Sequence, residues 1–76
     1  MKILLNEWDD PRISECIYVG KGDKVFAGAG AVEWGFTYGK EYEIQDVSMF
    51  GYLVMKNDEG IVDEYTTEYF THYQPI

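Results

Sequence analysis

The sequence predicts an all-β domain, a small, partly open barrel of about five short strands with one short helical turn near residues 66–70. Three observations carry this. Glycine and aromatic residues interleave along the chain, a pattern of short strands and turns rather than helices. Residues 40–47 alternate apolar and polar positions with the two-residue period of a strand. Asn57-Asp58-Glu59-Gly60 is a hairpin signal, with Asn at the first turn position and a glycine able to take the left-handed conformation that closes a three-residue loop with a bulge. At 76 residues the chain is one domain, 1–76. A domain of this size buries only ~60% of its unfolded surface. Seven Tyr, four Phe and two Trp offset that small core, since each aromatic ring buries roughly 150–250 Å².

Residues 13–19 read as a first strand, with Ile13, Ile17 and Val19 on one parity, Glu15 as the exception there, and Cys16 and Tyr18 on the other. Residues 24–27 form a second. The stretch Gly28-Ala29-Gly30-Ala31-Val32-Glu33-Trp34-Gly35 is loop-like, because its glycines remove packing and admit positive φ. An irregular crossing strand is placed around Phe36-Thr37-Tyr38, ahead of Gly39. Over 40–47, Tyr42 and Ile44 point inward while Glu41, Glu43 and Gln45 point out. Ser48-Met49-Phe50-Gly51 is a turn, 52–56 an apolar strand, and 61–65 its hairpin partner. Thr66-Thr67-Glu68-Tyr69-Phe70 forms a tight helical turn with a threonine cap, and 71–76 is a last short strand or tail. Residues 1–12, with Trp8 and Asp9-Asp10-Pro11, have no assigned place in the barrel.

Charge is distributed unevenly. Residues 41–76 hold eight acids and one base, Lys56, whereas 1–40 hold six acids and five bases, and the whole chain carries −8. Such an imbalance acts on solubility and choice of partner more than on fold. The single cysteine, Cys16, cannot form an internal disulfide and suits a reducing compartment. The N-terminal apolar run, Ile3-Leu4-Leu5, is too short for a signal peptide, and no stretch approaches the ~20 apolar residues of a membrane span. The expectation is a cytoplasmic protein.

Known chemistries find few residues to work with. One His, His72, and one Cys do not make a four-ligand zinc site. An EF-hand register that puts Gly60 at position six puts Met55 at position one, where an acid is needed. The Gly28-Ala29-Gly30 run lacks the following Lys-Ser/Thr of a phosphate loop. A nucleophile held by His and an orienting acid is not evident. Glu41 and Glu43, ~6.6–6.8 Å apart on one strand face, have little chain around them to build the cleft a glycosidase needs. Cys16 fits a small buried strand residue. Six bases against fourteen acids oppose direct nucleic-acid binding, which requires a positive surface. The expectation is a protein without cofactor, metal or catalytic residues.

The run Phe36-Thr37-Tyr38-Gly39-Lys40-Glu41-Tyr42-Glu43-Ile44, then Tyr52-Leu53-Val54, then Asn57-Asp58-Glu59-Gly60, then Tyr65 and Phe70, resembles the small SH3-like β-barrel proteins of bacteriophages and Firmicutes. The resemblance covers about residues 36–70 and implies an SH3-like barrel. Two positions depart from the pattern: Glu64 stands where the return strand often carries a Trp, and Thr66 and Thr67 stand where a Pro often follows. In SH3-like modules that take proline-rich peptides, aromatic residues line the groove, and Glu64 replaces one of them.

Two readings of the acids follow. In one they are solubilising charges on strand edges and a hairpin tip. In the other they are a DNA-mimic surface. Duplex DNA presents a charge every ~3.4 Å along each strand, and alternate residues of a β-strand present carboxylates every ~6.6–6.8 Å. The resemblance to phage proteins adds the expectation of an inhibitor occupying the basic surface of a host DNA- or RNA-binding protein. The partner-binding residues are then Glu41, Glu43, Asp46, Asp58, Glu59, Asp63, Glu64 and Glu68. Asp63 and Glu64 have opposite parity, so they cannot share one strand face. The alternatives are an SH3-like adaptor reading a peptide through aromatics such as Trp34, Tyr38 or Phe50, with Met49 and Phe50 exposed on a loop, and a structural piece of a larger assembly.

Overall fold

The computed structural model describes residues 1–5 and 17–75. These form eight short strands: β1 (Lys2–Leu5), β2 (Ile17–Gly20), β3 (Lys24–Ala27), β4 (Glu41–Glu43), β5 (Asp46–Val47), β6 (Leu53–Lys56), β7 (Val62–Tyr65) and β8 (Phe70–Thr71). Two 3-10 helices, Ala29–Trp34 and Thr67–Tyr69, complete the described elements. The strands make three antiparallel sheets, ordered β1-β2, β4-β3-β8 and β5-β6-β7. The mostly β character agrees with the sequence; the number and length of the strands do not.

Much of that difference lies in 40–47, expected as one strand. The chain bends at Ile44-Gln45, so β4 pairs with β3 while β5 pairs with β6. Ile44 sits at the corner, fully buried. Its N–H donates to the Asp23 carbonyl at 2.8 Å and its carbonyl accepts from Gly22 at 2.9 Å. The Gln45 N–H has already turned to the Val54 carbonyl, 2.9 Å away. The bend shifts the alternation by one residue: Tyr42 and Ile44 are buried between the exposed Glu41, Glu43 and Gln45, whereas beyond the bend Asp46 is exposed as well and burial resumes at Val47.

The stretch expected as a loop, 28–35, winds into the first 3-10 helix, with Gly35 closing it in the left-handed region at φ 93°. Ala31 is the one residue of this helix that is buried, so small side chains let it lie close to the core. Residues 36–38 are not a strand. Phe36 instead drops into the core, where it meets Tyr42, Tyr65 and Phe70 edge-on at centroid distances of 5.0, 5.2 and 5.2 Å. Such edge-to-face contacts add to the area each ring buries. Val25, Ala27, Leu53, Met55 and Val47 fill the remainder between the two three-stranded sheets.

Residues 1–12, without a place in the sequence reading, supply β1, which pairs with β2 from Lys2↔Gly20 to Leu5↔Ile17. The strand expected at 13–19 is described from Ile17, with Val19 buried and Tyr18 exposed as its parity requires. Ile13, Cys16, Trp8 and Asp9-Asp10-Pro11 lie outside the described residues. The hairpin forms as the sequence requires. Gly60 takes φ 83°, and its N–H donates to the Asn57 carbonyl at 3.0 Å. The helical turn falls at Thr67–Tyr69 and runs into β8. Among the described residues no helix is long and apolar enough to cross a membrane.

Candidate interaction surface and aromatic groove

The eight carboxylates divide among different surroundings. Glu41 and Glu43 point outward on β4, on either side of the buried Tyr42. Glu43 lies 3.9 Å from Lys24, its register partner on β3. Asp46 and Glu64 belong to the other sheet, in one row through Val54 (Asp46↔Val54↔Glu64). With strands ~4.8 Å apart, that row places the two residues roughly 9–10 Å from each other on one face. Asp63 has the opposite parity, opposite the buried Met55, yet stays exposed. Glu59 is exposed on the hairpin, and Glu68 in the second 3-10 helix accepts from the Thr66 hydroxyl at 3.2 Å. The sheets therefore separate Glu41 and Glu43 from Asp46 and Glu64.

Asp58 has a different role from that of a solvated hairpin tip. Its carboxylate accepts from the Thr37 hydroxyl at 2.5 Å, from the Tyr42 hydroxyl at 2.7 Å and from the Lys40 ammonium at 3.1 Å. The Tyr42 oxygen in turn accepts the Thr37 N–H at 2.7 Å. Hydrogen bonds from Thr37, Tyr42 and Lys40 hold the Asp58 carboxyl down at about 2, and Asp58 in return raises the pKa of Lys40. Lys40 also lies 5.3 Å from the Tyr42 ring centroid. This network joins the hairpin to the 37–42 segment. It leaves Asp58 less of its charge to offer a partner than the other acids have.

Beside it, Asn57 is the one buried polar residue among the described residues. Its side-chain carbonyl accepts the N–H groups of Glu59 and Ile61, each at 2.9 Å, and its amide donates to the Trp34 carbonyl at 2.8 Å. The Asp58 N–H adds a bond to the Gly35 carbonyl at 3.0 Å. The hairpin is thereby clamped to the end of the first 3-10 helix, which fixes Trp34.

Trp34 borders a groove of about 400 Å³ lined by Trp34, Tyr52, Asp63, Glu64, Tyr65, Thr66 and Tyr69. Tyr65 is nearly buried, whereas half of Trp34 and 40% of Tyr52 remain exposed. The Trp34 and Tyr65 rings lie 6.3 Å apart at 59°. Burial, joined by the negative charge of Asp63, raises the Tyr65 phenol above its ordinary pKa. Tyr69 is held by backbone and by a glycine. Its carbonyl accepts the Gly28 N–H at 2.8 Å, and its ring leaves no room for a side chain at Gly30, where a Cβ would come within 2.8 Å.

Of the aromatics that sequence reasoning singled out as contacts, Trp34 lines this groove. Tyr38 and Phe50 are exposed elsewhere. Tyr52 and Tyr69 were not foreseen as site residues, because their sequence neighbourhoods fit a strand and a helical turn equally well. Met49 and Phe50 stand out in solvent, 80% and 78% exposed, on a turn braced by the Ser48 hydroxyl, which accepts the Phe50 and Tyr52 N–H groups at 3.2 Å. No group of three or more His, Cys, Asp or Glu among the described residues is arranged to hold a metal ion. No protein-family model, curated protein or solved structure matches the chain.

Proposed function

We propose that the chain is an SH3-like barrel acting as a non-enzymatic interaction protein, and that its acidic surface occupies the basic surface of a nucleic-acid-binding protein in the manner of a DNA mimic. The barrel reading is supported by the 41–47 segment, shared between two sheets by its bend at Ile44, and by the 3-10 turn that delivers the last strand to β3. The functional reading is carried by one observation. Six of the eight second-half carboxylates, Glu41, Asp46, Glu59, Asp63, Glu64 and Glu68, are exposed and make no ion pair among the described residues. They are anchored on strands, a hairpin and a 3-10 turn, so their spacing is fixed. Complementary charge of this kind speeds association and favours basic partners.

The test is competition. Purified protein is titrated against basic, nucleoid-type DNA-binding proteins carrying a fluorescent duplex, and displacement of the DNA is followed by anisotropy. Displacement is expected to weaken steeply between low and physiological salt, as the Debye length falls to about 8 Å. Salt-insensitive displacement refutes the reading, as does displacement that survives reversal of Glu41, Glu43 and Glu64 to Lys.

A further inference from the structure

We propose that the groove between the first 3-10 helix and β7 binds a guanidinium or ammonium side chain presented by an extended basic segment of a partner protein. The inference deepens the basic-partner reading and rests on it for the identity of the occupant; the groove itself is a separate observation.

The chemistry of the lining selects a cation. Trp34 and Tyr52 present rings that the core has left half or 40% in water, and the negative face of such a ring attracts a cation held within ~6 Å of its centroid. Asp63 and Glu64 line the same groove. Asp63 accepts the Glu64 N–H at 2.7 Å, and neither carboxylate has an ion pair among the described residues. Phosphate is repelled by this pair. A neutral apolar plug would strip water from the carboxylates without replacing it, which is unfavourable. A second copy of this chain brings a further −8. A guanidinium or ammonium head satisfies both features, with its charge against the carboxylates and its alkyl stem or planar face against the rings.

The groove is also built in advance. Asn57 fixes Trp34 through its carbonyl, and Gly30 and Gly28 fix Tyr69. Binding then orders little that is not already ordered, which favours affinity. At about 400 Å³ the space is that of a small-ligand site, enough for one long cationic side chain and the backbone that carries it.

The experiment uses the full chain and a capped peptide of alternating Arg and Gly, read by calorimetry, with two comparison probes. One is the same peptide with citrulline in place of Arg, which removes the charge and keeps the shape; the other is spermidine, a free polyamine. The Arg peptide is expected to bind at least about tenfold more tightly than either comparison probe. It should lose about tenfold in affinity with Tyr52→Ala and with the double variant Asp63→Asn/Glu64→Gln. Tyr18→Ala, an exposed ring outside the groove and outside the acidic surface, should shift affinity by about twofold or less. Equal binding of the citrulline peptide overturns the proposal. Tighter binding of spermidine overturns the assignment to a protein segment. Groove variants that keep their melting temperature and bind the Arg peptide undiminished overturn the site. The same variants entered in the DNA-displacement assay separate the two readings. Wild-type protein that fails to displace DNA refutes the mimic, leaving the groove to be decided by the peptide titration. A Tyr52→Ala variant, which leaves every carboxylate in place, that displaces DNA as well as wild type overturns the groove and leaves the mimic standing.

Discussion

Replacing Asn57 by alanine tests whether a single amide holds the hairpin to the wall of the groove. The substitution removes three hydrogen bonds, to the Trp34 carbonyl at 2.8 Å and from the Glu59 and Ile61 N–H groups at 2.9 Å, at a residue that is 8% exposed. Each such bond contributes a net ~0.5–1.5 kcal/mol, and more where its partner is left buried and unpaired, so the loss should be about 2–4 kcal/mol. A chain of this length has roughly 4–11 kcal/mol of stability in total. With a shift of about 4–8 °C per kcal/mol, the melting temperature should fall by at least about 8 °C. Asn57→Asp separates the two ends of the side chain. It keeps an acceptor for Glu59 and Ile61 but sets a carboxylate oxygen against the Trp34 carbonyl, so it should retain part of the hairpin while releasing Trp34. Gly35→Ala should couple to both, since a Cβ there would lie 2.6 Å from the Asn57 amide nitrogen on a backbone at φ 93°. Urea titration followed by circular dichroism gives the stabilities, and the Trp34 indole resonance gives its environment. An Asn57→Ala variant within about 0.5 kcal/mol of wild type, the range of ordinary surface changes, or an Asn57→Asp variant with an unshifted Trp34 resonance, would refute the clamp.

Two further outcomes follow from the same contacts. Asp58 titrates at about 2 in the fold against an ordinary 3.8. Its folded-state pKa is depressed, so its stabilising effect is complete above about pH 4 and is lost as pH falls through 3.8 toward 2. The stability gap between wild type and Asp58→Asn should therefore narrow between pH 5 and pH 2.5. An Asp58 carboxyl resonance titrating near 3.8 contradicts the Thr37-Tyr42-Lys40 network. Phe36→Ala removes the ring that Tyr42, Tyr65 and Phe70 all meet edge-on. It should cost about 3–5 kcal/mol, and a variant that retains its near-ultraviolet dichroism and loses under 1 kcal/mol would remove Phe36 from the centre of the core.

The parts of the fold legible in the sequence are those that local chemistry decides. Gly60 and Asn57 specify the hairpin because only certain residues fit those backbone positions. The alternation of Tyr42 and Ile44 with Glu41 and Glu43 specifies a half-buried strand because the pleat has period two. The bend at Ile44-Gln45 has no such signature. It arises because Ile44 pairs with Asp23 and Gly22 while Gln45 pairs with Val54, and those partners are distant in sequence. The 3-10 helix over Ala29–Trp34 was hidden by its two flanking glycines and Gly30. Its stability comes from packing Ala31 and Tyr69 into the core and from the Gly28 bond to Tyr69, rather than from propensity. Residues 2–5 form a strand because β2 offers an edge, a fact about another part of the chain.

The site follows the same division. Exposure of Glu41, Glu43, Asp46, Glu59, Asp63, Glu64 and Glu68 was legible, since charge at strand and hairpin positions stays in water. The opposite parity of Asp63 and Glu64 was legible too. Asp58 was not, because its partners Thr37, Lys40 and Tyr42 lie 16 to 21 residues away. Neither was the groove, which needs Trp34, Tyr52 and Tyr69 brought together from three separate elements. The one hint is numerical. Thirteen aromatic rings in 76 residues are more than a core this small can enclose, and the surplus has to be shown to water. Where surplus rings meet surplus carboxylates, at Trp34 and Tyr52 beside Asp63 and Glu64, the surface holds both halves of a cation site. Charge reversal across the acidic surface and ring removal in the groove should therefore weaken binding in different ways, the first through salt dependence and the second through discrimination of arginine from citrulline.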